Sequence, residues 1–519
     1  MIRRLFLVFI LISTFAVAGC KISGVITTSD GVGVEGVTVV LDCDDSVQDC
    51  DASMSTTTDA DGTYVFPKIK PGNYKVKPAD GKHTFEPASK NVKVGLKKIA
   101  RADFEIVTSP TPPPPVSLPP WSTYQGNAAH TGYVPVFLDT GNFKEAWIWP
   151  DDGTELVPLN PVAAGGGKVF VTTAWESGAN VLIALDSAGP VELWRYDFGE
   201  IDSVNPPAYA NGTVYIQSGV GDDSNLWAFD AESKPVDKEP ISSYLNQSFL
   251  FYAPTVYEEK VDNEVKVGVY MGGSYLDKGE TYMRWYGGVY GFSFGGVDEK
   301  EPWHKPLPPY EQWTPAVNTD YVIAYTGPYD YFIAFNSLNV FDRLTGEFEF
   351  SIPDPNFVWK EFDQFSMDLA PVLSSQNNVI VINGGRLISF DLAKQKIGWE
   401  IPKKEGDLGS FSGQPSLANG IIYAVAEGYL HALDESDGSS IEGWLPWQPP
   451  LAGESIVTPM IVTDNLIFVS TESTTYAVDL ASQTEVWSYP AGGHLALSDD
   501  GVLYIATAEG ILHAISTLK

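Results

Sequence analysis

Residues 184–194 read Ala184-Leu-Asp186-Ser-Ala-Gly-Pro-Val-Glu-Leu-Trp194, and the same phrase returns along the chain as Ser389-x-Asp391 with Trp399, Ala432-x-Asp434 with Trp444 and Ala477-x-Asp479 with Trp487. Val340-x-Asp342, followed by Thr345-Gly346 and Phe350, is the same phrase with a different aromatic. Each unit also has an upstream strand pair that begins near Pro161, Pro207, Pro254, Pro315, Pro371, Pro415 or Pro459, with Leu495 in that slot of the last unit, at spacings of 36 to 61 residues. Recurrence at such a period marks a repeat architecture. Four short strands fit into about 40 to 45 residues, the length of one propeller blade.

The ends of the array predict how it closes. The last unit runs Gly501-Val-Leu-Tyr-Ile-Ala, then Leu512-His-Ala514-Ile-Ser516, and reaches Lys519 without its Trp strand. An orphan Trp147 stands ahead of the first complete unit, after Thr140-Gly141. Placing Trp147 beside Ala514 and Ser516 completes the last blade and removes an open sheet edge. The aromatic slots then fall at Trp147, Trp194, Trp303, Phe350, Trp399, Trp444 and Trp487, with one unfilled slot near 238, so eight slots match eight inner modules. These residues are expected to pack, since one Trp buries about 150–250 Å² and would dock each blade on its neighbour. The fold expected is all-β, an eight-bladed β-propeller preceded by a small β-sandwich.

The phrase resembles the tryptophan-docking repeat of pyrroloquinoline-quinone-type propellers, over about 142–519. The stretch Trp121-x-x-Tyr-Gln-Gly-Asn-Ala-Ala-His130-Thr-Gly132 resembles the lead-in of that family. Catalytic members hold a quinone and calcium on the ring axis, and many alcohol-oxidising members add a pair of adjacent cysteines. The repeat region here contains no cysteine, and no cluster of its residues matches those ligands. Neither a His-Glu-x-x-His nor a Gly-x-Ser-x-Gly nor a phosphate-binding glycine loop occurs. No catalytic residue, metal or cofactor is therefore assigned.

The N-terminus carries an address. Met1-Ile-Arg3-Arg4, an apolar run from Leu5 to Ile12 and Val17-Ala18-Gly19-Cys20 make a basic region, an apolar core and a small-residue cleavage site. Val-Ala-Gly-Cys resembles the bacterial lipobox, which implies a signal peptide over 1–19 and a lipid on the Cys20 thiol. Lys21 after it implies the outer membrane. Cys43 and Cys50, the other two cysteines, are expected to form a local disulfide in an oxidising compartment, contributing about 2–3 kcal/mol.

Residues 20–107 read as a separate β-sandwich of short alternating runs divided by Gly, Asp and Pro turns. Asp59-Ala-Asp61-Gly62-Thr-Tyr64-Val-Phe66 and Pro71-Gly72-Asn-Tyr74-Lys-Val76 resemble the strand markers of carboxypeptidase-regulatory-like (transthyretin-like) modules. Asp59-x-Asp61-Gly62 is read as a turn, because it lacks the further ligands of an EF-hand. Residues 108–120 include Pro112 to Pro115 and Pro119-Pro120, a semi-rigid spacer, and the propeller occupies 121–519.

The chain has 32 basic and 66 acidic residues, a net charge of −34, and the excess of acid falls almost wholly after residue 107. Such a surface repels phosphate backbones, which excludes nucleic acid as a partner. Two overlong units carry aromatics outside the shared phrase, Trp285 and Tyr286 in one and Tyr329 and Tyr331 in the next, with Trp313 and Trp359 nearby. On loops, such a group suits capture of a neutral glycan or a protein segment; in lengthened strands the same residues would pack. The reading is a non-catalytic, lipid-anchored scaffold that binds envelope proteins, similar in anchor and propeller to the B lipoprotein of the β-barrel assembly machinery. A carbohydrate-binding protein and a quinone-dependent oxidoreductase are the alternatives.

Overall fold

The computed structural model describes residues 20–518 apart from 29–31, 44–53, 79–83, 88, 96–98, 108–117, 151–156, 174–179, 200, 202, 220–224, 233–241, 246–252, 263, 279–282, 295–302, 308–313, 327–336, 359–369, 403–406 and 452. The chain divides into two compact units, Met1–Val116 and Ser117–Lys519. Apart from a 3₁₀ turn at Thr140–Asn142, every element among the described residues is a β-strand.

The first unit is a sandwich of two sheets. In one, Cys20–Thr28 lies between Thr63–Ile69 and Phe104–Val107, with Thr84–Glu86 beyond; in the other, Thr38–Cys43 lies between Met54–Thr57 and Gly72–Pro78, with Lys90–Val94 beyond. Strict alternation drives it, since Ile22, Ile26, Val39, Leu41, Tyr64, Phe66, Tyr74 and Val76 all turn into one core. Asp59 does the work of a turn residue, its carboxylate accepting the Asp61 N–H at 3.1 Å and the Thr63 N–H at 2.8 Å. Cys43 is disulfide-bonded, and its expected partner Cys50 lies outside the described residues.

In the second unit the described strands form eight sheets. The first is Ala163–Gly165, Lys168–Thr172, Val181–Asp186 and Glu192–Asp197; the last is His494–Leu497, Val502–Ala506 and Leu512–Ser516, joined on its outer edge by Lys144–Trp149, which precedes the first sheet in the chain. That pairing is antiparallel and sets Trp147 opposite Ala514 and Lys144 opposite Ser516. Each innermost strand touches the innermost strand of the next sheet, and Ala163–Gly165 meets His494–Leu497, so the ring closes.

The recurring phrase has a local reason at each of its positions. The small residue faces the aromatic across the third and fourth strands, Ala184 opposite Trp194, Ser389 opposite Trp399 and Ala477 opposite Trp487. The register shifts immediately after it in each of these sheets, a local irregularity that re-aims the side chain. The Asp caps the turn that follows, its carboxylate accepting a backbone N–H from Ala188 at 2.9 Å, Ser436 at 2.8 Å and Ser482 at 2.7 Å in three of the sheets. In the second sheet the slot expected near 238 is taken in register by Ser242, which stands opposite Ala228.

Candidate functional site

The inner side of the ring is occupied by the chain itself. Residues 121–132 pass the sheets in order and pair with their innermost strands. Trp121 bridges Ala164 of the first sheet, the Ser122 carbonyl accepts the Tyr209 N–H of the second at 2.7 Å, and the Thr123 hydroxyl donates to Pro254 O at the third at 2.6 Å. The carbonyls of Ala128, Ala129, Thr131 and Gly132 then accept from Val317, Leu373, Leu417 and Val462 of the fourth to seventh sheets. Innermost strands have one unpaired edge each, and buried backbone groups need partners; this segment provides them. It is why the lead-in combines small residues with Gln125 and His130, which reach outward to Pro415 O at 2.8 Å and Pro371 O at 3.2 Å.

One void among the described residues here, lined by Trp121, Gln125, Pro161, Pro207, Pro459 and His494, is about 10 Å³, room for about one water. A ligand pocket is ordinarily about 300–1,000 Å³, so a quinone does not fit this void. His130 is fully buried, and desolvation pushes its imidazole down to about 4, against the Pro371 carbonyl, which favours the charged form. With a folded pKa below the unfolded value of about 6.5, its contribution to stability is complete above pH 6.5 and is lost as the pH falls towards 4. Between pH 7 and pH 4.5 the parent is expected to lose about 2–3 kcal/mol more unfolding free energy than His130→Gln. Equal losses in a pair of urea titrations would contradict this.

The docking aromatics follow one rule at four interfaces. The indole N–H of Trp147 donates to Ser187 O at 2.9 Å, Trp194 to Ala231 O at 3.1 Å, Trp303 to Arg343 O at 3.3 Å and Trp399 to Glu435 O at 2.9 Å. In every case the acceptor is the residue after the Asp of the next sheet's phrase. Four residues after that Asp stands Gly346 under Trp303 and Gly438 under Trp399, with φ of +66° and +74°. A Cβ there would lie 2.3 Å and 2.8 Å from the two indoles. Phe350, half-buried, packs edge-on against Tyr321 with ring centroids 6.3 Å apart, and Trp487, also half-buried, packs edge-on against Phe143 at 5.3 Å.

Trp444 departs from the rule. Its sheet, the sixth, has three strands, Phe411–Ala418, Ile421–Ala426 and Tyr429–Asp434. Where a fourth would run, only isolated bridges form, Leu430 with Trp447 and Leu433 with Ser440. Gln483 fills the glycine position of the facing turn, at φ +58°. Its amide donates to Gly443 O at 2.9 Å and accepts the Leu445 N–H at 2.8 Å. Trp444 instead meets Tyr423 edge-on at 5.7 Å, its indole nitrogen is buried without a hydrogen-bond partner, and a pocket of about 350 Å³ opens beside it.

The aromatic cluster read from the two overlong units is only partly placed. Trp285 and Tyr286 lie in the strand Met283–Phe294, opposite Leu276 and Tyr275 of Glu264–Lys278. They are not on a loop: the two strands pair from Val267 opposite Phe294 to Lys278 opposite Met283 and run past the strands on either side. Tyr329, Tyr331, Trp313 and Trp359 lie outside the described residues. Cys20 begins the strand Cys20–Thr28 as a free thiol, 8% exposed, with its sulfur 3.3 Å from Gly95 O. Sequence reasoning missed the pocket at Trp444, although the spacing of ten residues from Asp434 to Trp444, where Asp186 to Trp194, Asp391 to Trp399 and Asp479 to Trp487 each span eight, was a visible signal.

The comparisons with known proteins agree with this architecture. Residues 15–109 match the family described as the second β-sandwich domain of BOS complex subunit NOMO1-like proteins. Residues 144–235 match the one described as outer membrane protein assembly factor BamB. No curated protein matches the sequence. Among solved structures, quinohemoprotein alcohol dehydrogenase from Comamonas testosteroni is similar with a TM-score of 0.50 at 16% identity, over 77% of this chain and 80% of that one. BamB from Moraxella catarrhalis is similar with a TM-score of 0.35 at 11% identity, over 72% of this chain and 99% of that one. At such identities the likeness to the dehydrogenase is one of fold. The chain is thus an all-β protein in which a NOMO-like β-sandwich precedes a propeller with a BamB-like quinoprotein-type repeat.

Proposed function

We propose that this chain is a non-catalytic scaffold of the bacterial envelope, binding protein partners through its propeller and held at the outer membrane by a lipid on Cys20. The observation that carries the reading is the match of residues 144–235 to a family named for outer membrane protein assembly, on a ring whose described inner side is packed with its own backbone. A fold of this kind hosts many functions, so the site has to carry the argument. The backbone pairing of residues 121–132 along the innermost strands favours recognition at the rim or outer face.

Lipid attachment requires the Cys20 sulfur to leave the strand, and the pairing of that strand is irregular between Cys20 and Ile22. More than one acyl chain is needed for stable anchoring, which a lipidated N-terminal cysteine supplies. The test is crosslinking in intact cells, followed by fractionation of the parent and of Cys20→Ser. The expected result is a membrane-bound parent crosslinked to envelope proteins, with the variant released or unprocessed. A correctly cleaved variant that stays with the membrane would refute the anchor. A parent that captures no protein in the envelope would refute the scaffold.

A further inference from the structure

We propose that the pocket between the sixth and seventh sheets is a docking site for an extended segment of a partner protein that places an apolar side chain next to a Lys or Arg. The inference deepens the scaffold reading and rests on it for the identity of the partner as a protein. Its starting point is the unfilled hydrogen bond at Trp444. At the four regular interfaces the indole N–H is satisfied by a peptide carbonyl. At Trp444 the corresponding carbonyl would be that of Leu480, after Asp479, and the indole nitrogen is buried with no partner. A buried donor left unmade is unfavourable; it is closed to solvent in the free protein, so the indole turns towards the pocket when a docked segment supplies a peptide carbonyl, the acceptor its siblings use.

The surroundings define the rest of the ligand. Tyr423, Trp444, Ile421, Ile441 and Leu480 form apolar and aromatic walls around about 350 Å³, within the range of a pocket that holds an anchoring side chain. The polar side is acidic. Glu442 is exposed and has no basic partner among the described residues, and Asp464 lines the same pocket while accepting the Tyr133 hydroxyl at 2.5 Å. In a chain with a net charge of −34, that rim attracts a cation and repels an acidic segment. Leu445, 73% exposed, and Leu451, 55% exposed, extend the apolar surface along the stretch where the sixth sheet has no regular fourth strand. An incomplete sheet, an unsatisfied donor, aromatic walls and an uncompensated carboxylate thus coincide at one place.

The experiment uses the full chain and two synthetic probes, acetyl-Arg-Leu-Arg-Leu-amide and acetyl-Glu-Leu-Glu-Leu-amide, with titration calorimetry as the readout. The basic probe is expected to bind at least ten-fold more tightly than the acidic one. Glu442→Lys should weaken the basic probe about ten-fold or more. Trp444→Phe, which keeps the ring and removes the donor, should weaken it several-fold while both variants melt like the parent. Equal binding of the two probes, absence of binding, or affinities untouched by either variant would overturn the proposal. Binding of maltotriose that Trp444→Phe abolishes would also overturn it, assigning the pocket to a glycan.

A photo-crosslinking residue at position 445, compared with one at exposed Phe348, separates this proposal from the reading beneath it. Envelope proteins captured at 348 and not at 445 would sink the pocket and leave the scaffold standing. Capture at neither position, with the basic probe still bound, would support the pocket and count against the scaffold.

Discussion

Replacing Trp147 by alanine is expected to destabilise the propeller by about 3–5 kcal/mol, the cost of deleting a large buried aromatic, and removing residues 140–150 should abolish its cooperative transition. Trp147 is 6% exposed, lies against Tyr504 with ring centroids 5.8 Å apart and donates its indole N–H to Ser187 O of the first sheet. The strand that carries it covers the outer edge of the last sheet, pairing residue by residue with Leu512–Ser516. One side chain therefore joins the last sheet to the first, while its strand, which precedes the first sheet in the chain, completes the last. Trp487 provides the internal comparison. It is only half-buried and packs edge-on against Phe143, so Trp487→Ala should cost less than about 2 kcal/mol. Urea titrations of the two variants are the measurement, and similar midpoints for Trp147→Ala and the parent would mean that the ring does not depend on this closure.

The second large effect is expected at Gly438. Its φ of +74° belongs to the left-handed region, and a Cβ built on it would stand 2.8 Å from the Trp399 ring and 2.8 Å from Ile401. Gly420 is the control, with φ +77° and nothing within 4 Å of such a Cβ. Gly420→Ala should carry only the cost of the left-handed conformation, about 1–2 kcal/mol. Gly438→Ala adds overpacking against an indole held by its bond to Glu435 O, typically about 1–3 kcal/mol more. The expected total is about 2–5 kcal/mol, together with a shift in Trp fluorescence that Gly420→Ala does not produce. Equal destabilisation by the two variants would show that the close approach of turn and indole carries no energy.

Much of this was legible in the residues. The Ala-x-Asp phrase and its Trp exposed the repeat, because each blade solves the same packing problem with the same parts. Small residues lie under the indole, as Ala184 does under Trp194, and an Asp caps the turn, as Asp434 does for Ser436. The orphan Trp147 pointed to its place opposite Ala514. The inserted aromatics were less legible. A run such as Tyr282-Met-Arg-Trp285-Tyr286 reads equally as loop or strand, and only its partner strand, with Tyr275 opposite Tyr286, decides between them.

By itself the sequence determined the β-sandwich, the repeat and the expected position of the closing strand, because those rest on local alternation, turn chemistry and a period. Tertiary structure alone decided what the lead-in does, since the bonds from Ser122 to Tyr209 and from Gly132 to Val462 join residues far apart in the chain. It alone decided, too, that Trp444 differs from its siblings. An indole donor is satisfied or left unsatisfied according to whether the neighbouring sheet brings a carbonyl within reach of it, as Glu435 O is for Trp399 and as none is for Trp444.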